Sequence, residues 1–216
     1  MAEVIHFFKH LIDAEYLIQY GGIGLLAFAI FAETGLFFGF LFPGDSLLLI
    51  SGIMCNSPYL RIHILLLIFI LIIAAILGNI VGYFFGKRVG ETLYNKPDTF
   101  FFKKKYIVNT ANFYAKYGGK TIIIGRFIPF IRTFAPMLAG VVGIDFKKFM
   151  VYNIIGAILW ITSCLLLSYT LGKYFPDIKN YLHYIVGAII LLSAIPPLAI
   201  ILNPKIANKN KKVPQA

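Results

Sequence analysis

The chain has 216 residues, of which 59% are hydrophobic and 13% are charged, and its formal net charge at pH 7 is +11. This composition excludes a soluble protein of one or two domains. The positive charge does not indicate nucleic-acid binding, because the basic residues flank apolar runs and do not cover a soluble surface. Several apolar stretches reach the roughly 20 residues that a helix needs to cross a bilayer, so we predict an all-α polytopic membrane protein.

Residues 1–20 are predicted to form an amphipathic helix at the membrane interface. Apolar side chains recur at helical spacing between Val4 and Ile12, and polar ones such as Lys9 and Asp13 occupy the other face. An ordinary flanking helix fits this pattern equally well. The segment lacks the basic region and cleavage site of a secretory signal, so we expect it to remain in the mature protein.

Five apolar blocks follow, and two of them are interrupted. The first block, 21–55, is too long for one crossing. The third, 121–144, carries Pro129 between its two arginines and Pro136 after them. Such breaks are tolerated at membrane depth where protein or water shields the free backbone groups. We therefore predict a re-entrant hairpin in each block, with the breaks at Pro43, Gly44, Pro129 and Pro136.

The remaining blocks are predicted to be transmembrane helices at 62–86, 149–172 and 181–202. They complete a single membrane domain at 21–202. The loop at 87–120 has eight basic and two acidic residues, and the tail at 203–216 has four lysines and no acid. The positive-inside rule places both segments in the cytoplasm, so the C-terminus is expected there too.

A hairpin followed by a span therefore occurs twice, in opposite orientations, with one additional C-terminal helix. A short sequence echo supports the repeat, since Tyr20-Gly21-Gly22 opens the first unit and Tyr117-Gly118-Gly119 opens the second. Inverted repeats with discontinuous helices are common in secondary transporters, which bind the substrate where the breaks meet.

Four ionisable residues lie within the predicted hairpins: Glu33 and Asp45 in the first, Arg126 and Arg132 in the second. Placing each of these side chains in the bilayer core costs about 2.5–3.5 kcal/mol on insertion scales, so we expect either a compensating partner or a functional role. They could be ion pairs that lock the hairpins together. Alternatively, Glu33 and Asp45 couple to protons, while Arg126 and Arg132 bind the phosphate of a substrate.

Other polar residues give weaker signals. Asn79, Asn153 and Trp160 could bond across helices, but packing is the simpler explanation. Gly78, Gly82 and Gly86 form a helix-packing stripe, which also permits a homodimer. The sequence has no GxSxG or HExxH motif and its histidines lack metal-ligand spacing, so we expect no enzyme, no metal and no cofactor.

Both interrupted blocks resemble the signatures of one family. FAETGLFFGFLFPGDSLL at 31–48 resembles the first signature of the DedA family, also called the SNARE-associated or VTT-domain family, and GRFIPFIRTFAPMLAG at 125–140 resembles the second. The resemblance covers nearly the whole chain. It implies a multi-pass protein of the bacterial inner membrane that transports lipid, with Glu33 and Asp45 as the embedded acids and Arg126 and Arg132 as the essential arginines.

The resulting hypothesis is a flippase for a lipid phosphate such as undecaprenyl phosphate. Transport would depend on the proton-motive force and would support envelope homeostasis, with the membrane lipid and protons as partners. A passive phospholipid scramblase or a non-transporting scaffold is the alternative. An exporter of small cationic drugs or ions is a third reading, which the two arginines disfavour.

Overall fold

A computed structural model describes residues 14–36, 44–55, 60, 62–94, 114 and 119–175. These residues are mainly helical and contain no strand, so the all-α part of the predicted fold is confirmed. The helices are α1 (Ala14–Gly35), α2 (Gly44–Met54), α3 (Ile64–Tyr94), α4 (Lys120–Gly125), α5 (Pro129–Val141) and α6 (Phe146–Tyr174).

Two helices are long and apolar enough to cross a membrane, namely α6 and the segment Ile64–Gly90 of α3. The predicted spans at 62–86 and 149–172 fall on them. Exposed apolar faces of this kind are suited to lipid. Their large outward side chains include Leu65, Phe69, Leu77, Val81 and Phe85 on α3, and Val151, Ile155, Leu159 and Leu167 on α6.

Each interrupted block forms a pair of shorter helices. In the first pair, α1 ends at Gly35 and α2 begins at Gly44. In the second pair, α4 ends at Gly125 and α5 begins at Pro129. A proline is favoured at this first helical position, because its missing N–H would have no intrahelical acceptor there.

Pro136 does not break a helix, contrary to our prediction. It lies inside α5, which is continuous from Pro129 to Val141. The proline removes the donor that would normally bond to the carbonyl of Arg132. The helix continues across this lost hydrogen bond because α5 packs against α3, where Pro136 faces Gly82.

The two arms of each helix pair pack on different long helices. The first arm of each pair packs on the long helix that follows it, α1 on α3 and α4 on α6. The second arm packs on the other long helix, α2 on α6 and α5 on α3. The ends of both interrupted blocks are therefore held between the same two long helices, which also pack on each other.

A glycine seam on α3 allows this close packing. It comprises Gly78, Gly82, Gly86 and Gly90. A Cβ at Gly86 would lie 2.8 Å from Met137 Cα, and one at Gly90 would lie 2.8 Å from Val141 Cα. A Cβ added to Gly35 of α1 would similarly lie 2.8 Å from Gly78 Cα. The stripe seen in the sequence is thus filled by α1 and α5 of the same chain.

The turn between α5 and α6 fixes these helices to each other. Gly143 has φ of 74°, in the left-handed region, and follows the C-cap Val142. Its N–H and that of Ile144 donate to carbonyls of the last turn of α5, forming a Schellman motif. Asp145 then caps α6 by accepting from Lys148 N at 3.0 Å.

Several predicted segments lie wholly or partly outside the described residues. They are residues 1–13 of the interfacial helix, Pro43, most of the loop at 87–120, the helix at 181–202 and the tail at 203–216. Within the described part, Ala14 to Tyr20 belong to α1, which bends at Gly22. Likewise α3 continues past residue 86 to Tyr94, so the start of the predicted loop is helix.

Candidate functional site

The four charged residues predicted from the sequence all lie beside helix ends. Glu33 is in the last turn of α1 and Asp45 in the first turn of α2. Arg126 directly follows α4 as its C-cap, and Arg132 lies in the first turn of α5. The two interruptions therefore supply all four side chains.

Arg132 connects both interruptions through carboxylates. Its Nη1 donates to Asp45 Oδ1 at 2.6 Å and its Nη2 donates to Asp45 Oδ2 at 2.9 Å, which is a bidentate pair. Nη2 also donates to Glu33 Oε1. One guanidinium thus joins the end of α1, the start of α2 and the start of α5.

Two further contacts shape this ion cluster. The guanidinium carbon of Arg132 lies 4.1 Å from the ring centroid of Trp160 on α6, which is cation–π geometry. Glu33 lies against the first residue of α2, so a Cβ at Gly44 would collide with its carboxylate. Gly44 therefore lets the buried acid approach the helix start.

The three side chains of the cluster differ in their exposure to solvent. The side chains of Arg132 and Glu33 are 1% and 6% exposed, whereas that of Asp45 is 23% exposed. Asp45 is the member of the cluster that reaches the surface. A proton arriving from outside the fold would meet Asp45 before Glu33.

Arg126 has a different environment. Its Nη2 donates to Asn153 Oδ1 on α6. Nη2 also donates to Asn79 Oδ1 on α3 at 2.5 Å, in the amide orientation in which Asn79 Nδ2 donates to the carbonyl oxygen of Thr34 at 3.1 Å. Its Nε and Nη1 have no hydrogen-bond partner in the described part of the chain, although the residue is only 1% exposed. A Cβ at Gly156 would lie 2.9 Å from Arg126 Cδ, so this glycine makes room for the side chain.

The two arginines therefore do not share the acids. Among the described residues, both salt bridges of this region belong to Arg132. The expected meeting of opposite charges across the two interruptions occurs at Arg132 and does not occur at Arg126. Arg126 remains a buried cation with neutral amide neighbours, which is an arrangement that attracts an anion.

Sequence reasoning treated three members of this site as packing residues. Asn79 and Asn153 both accept from Arg126, and Trp160 lies against Arg132. The signal in the sequence was the position of amides and an indole within apolar helices, where unpaired polar groups are costly. That signal does not identify the partner, which only the folded arrangement supplies.

No group of three His, Cys, Asp or Glu side chains within the described ranges is arranged to hold a metal ion. The site offers two carboxylates paired with one buried guanidinium, and a second buried guanidinium whose Nε and Nη1 have no partner in the described part of the chain.

Comparisons with known proteins identify the family. The model of the VTT domain matches residues 42–170. The chain is 35% identical to Protein DedA of Escherichia coli over 204 residues, covering 94% of this chain and 92% of the relative. It is 38% identical to an uncharacterized membrane protein of Mycobacterium tuberculosis over 169 residues, covering 78% and 74%.

A third relative is Inner membrane protein YqjA of Escherichia coli, which is 30% identical over 187 residues and covers 85% of this chain and 84% of its own. No solved structure matches the chain. The domain match spans both interrupted helix pairs except the first arm, and the similarity to DedA extends it over nearly the whole sequence. The chain therefore belongs to the VTT-domain, or DedA, family of membrane proteins.

Proposed function

We propose that this protein translocates a lipid phosphate across a bacterial inner membrane, using the proton gradient, and that undecaprenyl phosphate is its substrate. The observation that carries the proposal is Arg126, a buried cation without an acidic partner in the described part of the chain. A phosphate supplies both the negative charge and the acceptor oxygens that its free N–H groups require.

The architecture suited to this task is an inverted repeat of re-entrant hairpins. The exchanged packing of the two helix pairs supports it, because each pair uses the long helices in the same reciprocal way. In such repeats the substrate site lies near the bilayer midplane, where the helix interruptions meet. The apolar outer faces of α3 and α6 would leave the prenyl tail in lipid.

The acids provide a route to proton coupling. In the paired state, Asp45 and Glu33 occupy Arg132. Protonation of a carboxylate removes its negative charge and weakens its bond to Arg132, so a phosphate can compete for that arginine. Loss of the proton restores the pair and expels the phosphate. Protons and substrate would thus share one arginine.

Location in the inner membrane is supported by two observations. The relative YqjA is named an inner membrane protein. The basic segments at 87–120 and 203–216 favour a cytoplasmic location for the loop and the C-terminus. The lipid phosphate would then be moved between the two leaflets of the plasma membrane, which is a requirement of envelope homeostasis.

The test is flipping of labelled undecaprenyl phosphate in proteoliposomes, with and without an imposed proton gradient. The variants are Arg126→Ala and, as a matched loss of one positive charge outside the site, Lys173→Ala in the last turn of α6. We expect gradient-stimulated flipping in the wild type and in Lys173→Ala, and none in Arg126→Ala.

Other outcomes select other functions. Flipping that is equally fast without the proton gradient and in Arg126→Ala would contradict the proposal and indicate a passive phospholipid scramblase. No flipping under any condition would overturn undecaprenyl phosphate as the substrate and favour a scaffold or a different lipid.

A further inference from the structure

Arg126 is held by amides in a place where an acid would fit. Arg126 Nη2 donates to Asn153 Oδ1 and to Asn79 Oδ1. Both asparagines are fully buried, one on each long helix. Asparagine and aspartate have nearly the same size and shape and differ in charge. The amide's other contacts are long, with Nδ2 3.3 Å from the carbonyl oxygen of Ile76 and 4.0 Å from Met150 Sδ.

The neutral side chain leaves a charge uncompensated. A buried cation without a counter-ion is strongly disfavoured, and a carboxylate at position 153 would form an internal ion pair with Arg126. The charge of Arg126 therefore favours aspartate over asparagine here, at the cost of the long bond from Asn153 Nδ2 to the carbonyl oxygen of Ile76. The neighbouring arginine shows that this fold does supply acids to a buried guanidinium, since Arg132 has two.

We propose that Asn153 is a specificity-determining residue. Its amide orients Arg126 without neutralising it and so reserves the guanidinium charge for an anionic head group. The inference rests on the proposed function and adds to it the reason why the site selects a phosphate over the corresponding uncharged lipid alcohol. Asn79 is a second neutral acceptor of Arg126.

The experiment measures binding to the purified full chain in lipid nanodiscs, with undecaprenyl phosphate and undecaprenol as the charged and uncharged probes. The proteins are the wild type, Asn153→Asp and Asn153→Ala. A purely structural role makes aspartate the milder change, because it keeps the volume and an acceptor for Arg126. A role in charge selection makes alanine the milder change for phosphate binding, because alanine leaves Arg126 unneutralised.

We expect Asn153→Asp to lose roughly 10- to 100-fold in affinity for undecaprenyl phosphate, the effect of losing charge-assisted hydrogen bonds, with undecaprenol binding unchanged. Asn153→Ala should retain most of the preference for the phosphate. The order of the two variants should be reversed for stability, with a higher unfolding temperature for Asn153→Asp than for Asn153→Ala. If Asn153→Asp does not fold, Asn79→Asp places a carboxylate beside the same guanidinium and should show the same loss.

Two results would overturn the inference, and they are distinguishable. If the wild type prefers the phosphate but Asn153→Asp binds it as well as the wild type does, Asn153 has only a structural role and the proposed function stands. If the wild type binds both probes equally, no anion binds at Arg126, and the proposed function and the inference fail together.

Discussion

The two buried arginines of the α4–α5 pair differ in what surrounds them. Arg132 donates to Glu33 and Asp45 and lies against Trp160, whereas Arg126 donates to an asparagine. Both are almost completely buried. Burial alone therefore does not reveal the role of a buried arginine, because that role depends on the groups that contact it. Counter-ions make Arg132 part of the fold, and their absence around Arg126 in the described part of the chain leaves its charge free for a ligand.

The difference has an energetic meaning. Removing one member of a buried ion pair leaves the other charge uncompensated and is strongly destabilising. Removing a cation that has no acidic partner relieves such a penalty instead. Substituting each arginine by the same apolar residue should therefore change stability in opposite directions.

Arg132→Met should be the most destabilising substitution at this site. It leaves two carboxylates close together without their cation, and breaking a buried pair in this way costs about 3–5 kcal/mol. Thermal unfolding in detergent, followed by the loss of the monodisperse peak on size exclusion, measures the effect. An unfolding temperature equal to that of the wild type would mean that the Arg132 cluster contributes nothing to the fold.

Arg126→Met should abolish lipid phosphate transport while leaving stability unchanged or raising it by up to about 1–4 kcal/mol, the range seen when whole buried ion pairs are replaced by apolar residues. The same unfolding assay, combined with the flipping assay, tests it. A destabilisation as large as that of Arg132→Met would show that the two arginines are equivalent and would remove the contrast between them.

Glu33→Gln separates the charge of the cluster from its hydrogen bonds. The amide still accepts from Arg132, but one of the two negative charges beside the arginine is lost, so stability should fall by only about 1–3 kcal/mol. Flipping should no longer respond to a proton gradient. Asp145→Asn, which keeps the cap of α6 and removes an acid outside the site, should respond like the wild type. An intact gradient response in Glu33→Gln would exclude Glu33 from proton coupling.

Trp160→Phe should produce the smallest effect. It keeps an aromatic ring at this buried core position and weakens a cation–π contact worth about 0.5–2 kcal/mol, while the carboxylates continue to hold Arg132. We expect a small fall in the unfolding temperature and transport that still depends on the gradient. A complete loss of transport at unchanged stability would instead place Trp160 in direct contact with the substrate.

The sequence predicted the helices well where lipid imposes a simple pattern. The apolar runs at 62–86 and 149–172 lie on α3 and α6, and the interruption near Gly44 separates α1 from α2. The end of α3 was missed, because its hydrogen bonds continue through Lys87 and Arg88 to Tyr94 after the apolar pattern has stopped. Pro136 was assigned to a break because sequence cannot show that packing against α3 holds α5 together.

The site was predictable as a set of residues and not as a set of pairs. Buried charge in apolar sequence identifies Glu33, Asp45, Arg126 and Arg132. It does not indicate that both acids bond to Arg132, since that depends on how α1, α2 and α5 converge. For the same reason Asn153 was interpreted as packing, because an amide in a helix gives no sign of its partner until α4 and α6 are placed together.

The glycine seam of α3 has a consequence for movement. Gly78, Gly82, Gly86 and Gly90 recur every fourth residue, close to one helical turn, and each faces α1, α5 or both. A partner helix displaced by about 6 Å along α3 would exchange one glycine for the next. Because the glycines are evenly spaced, a partner helix shifted by one turn along α3 would again pack against a glycine.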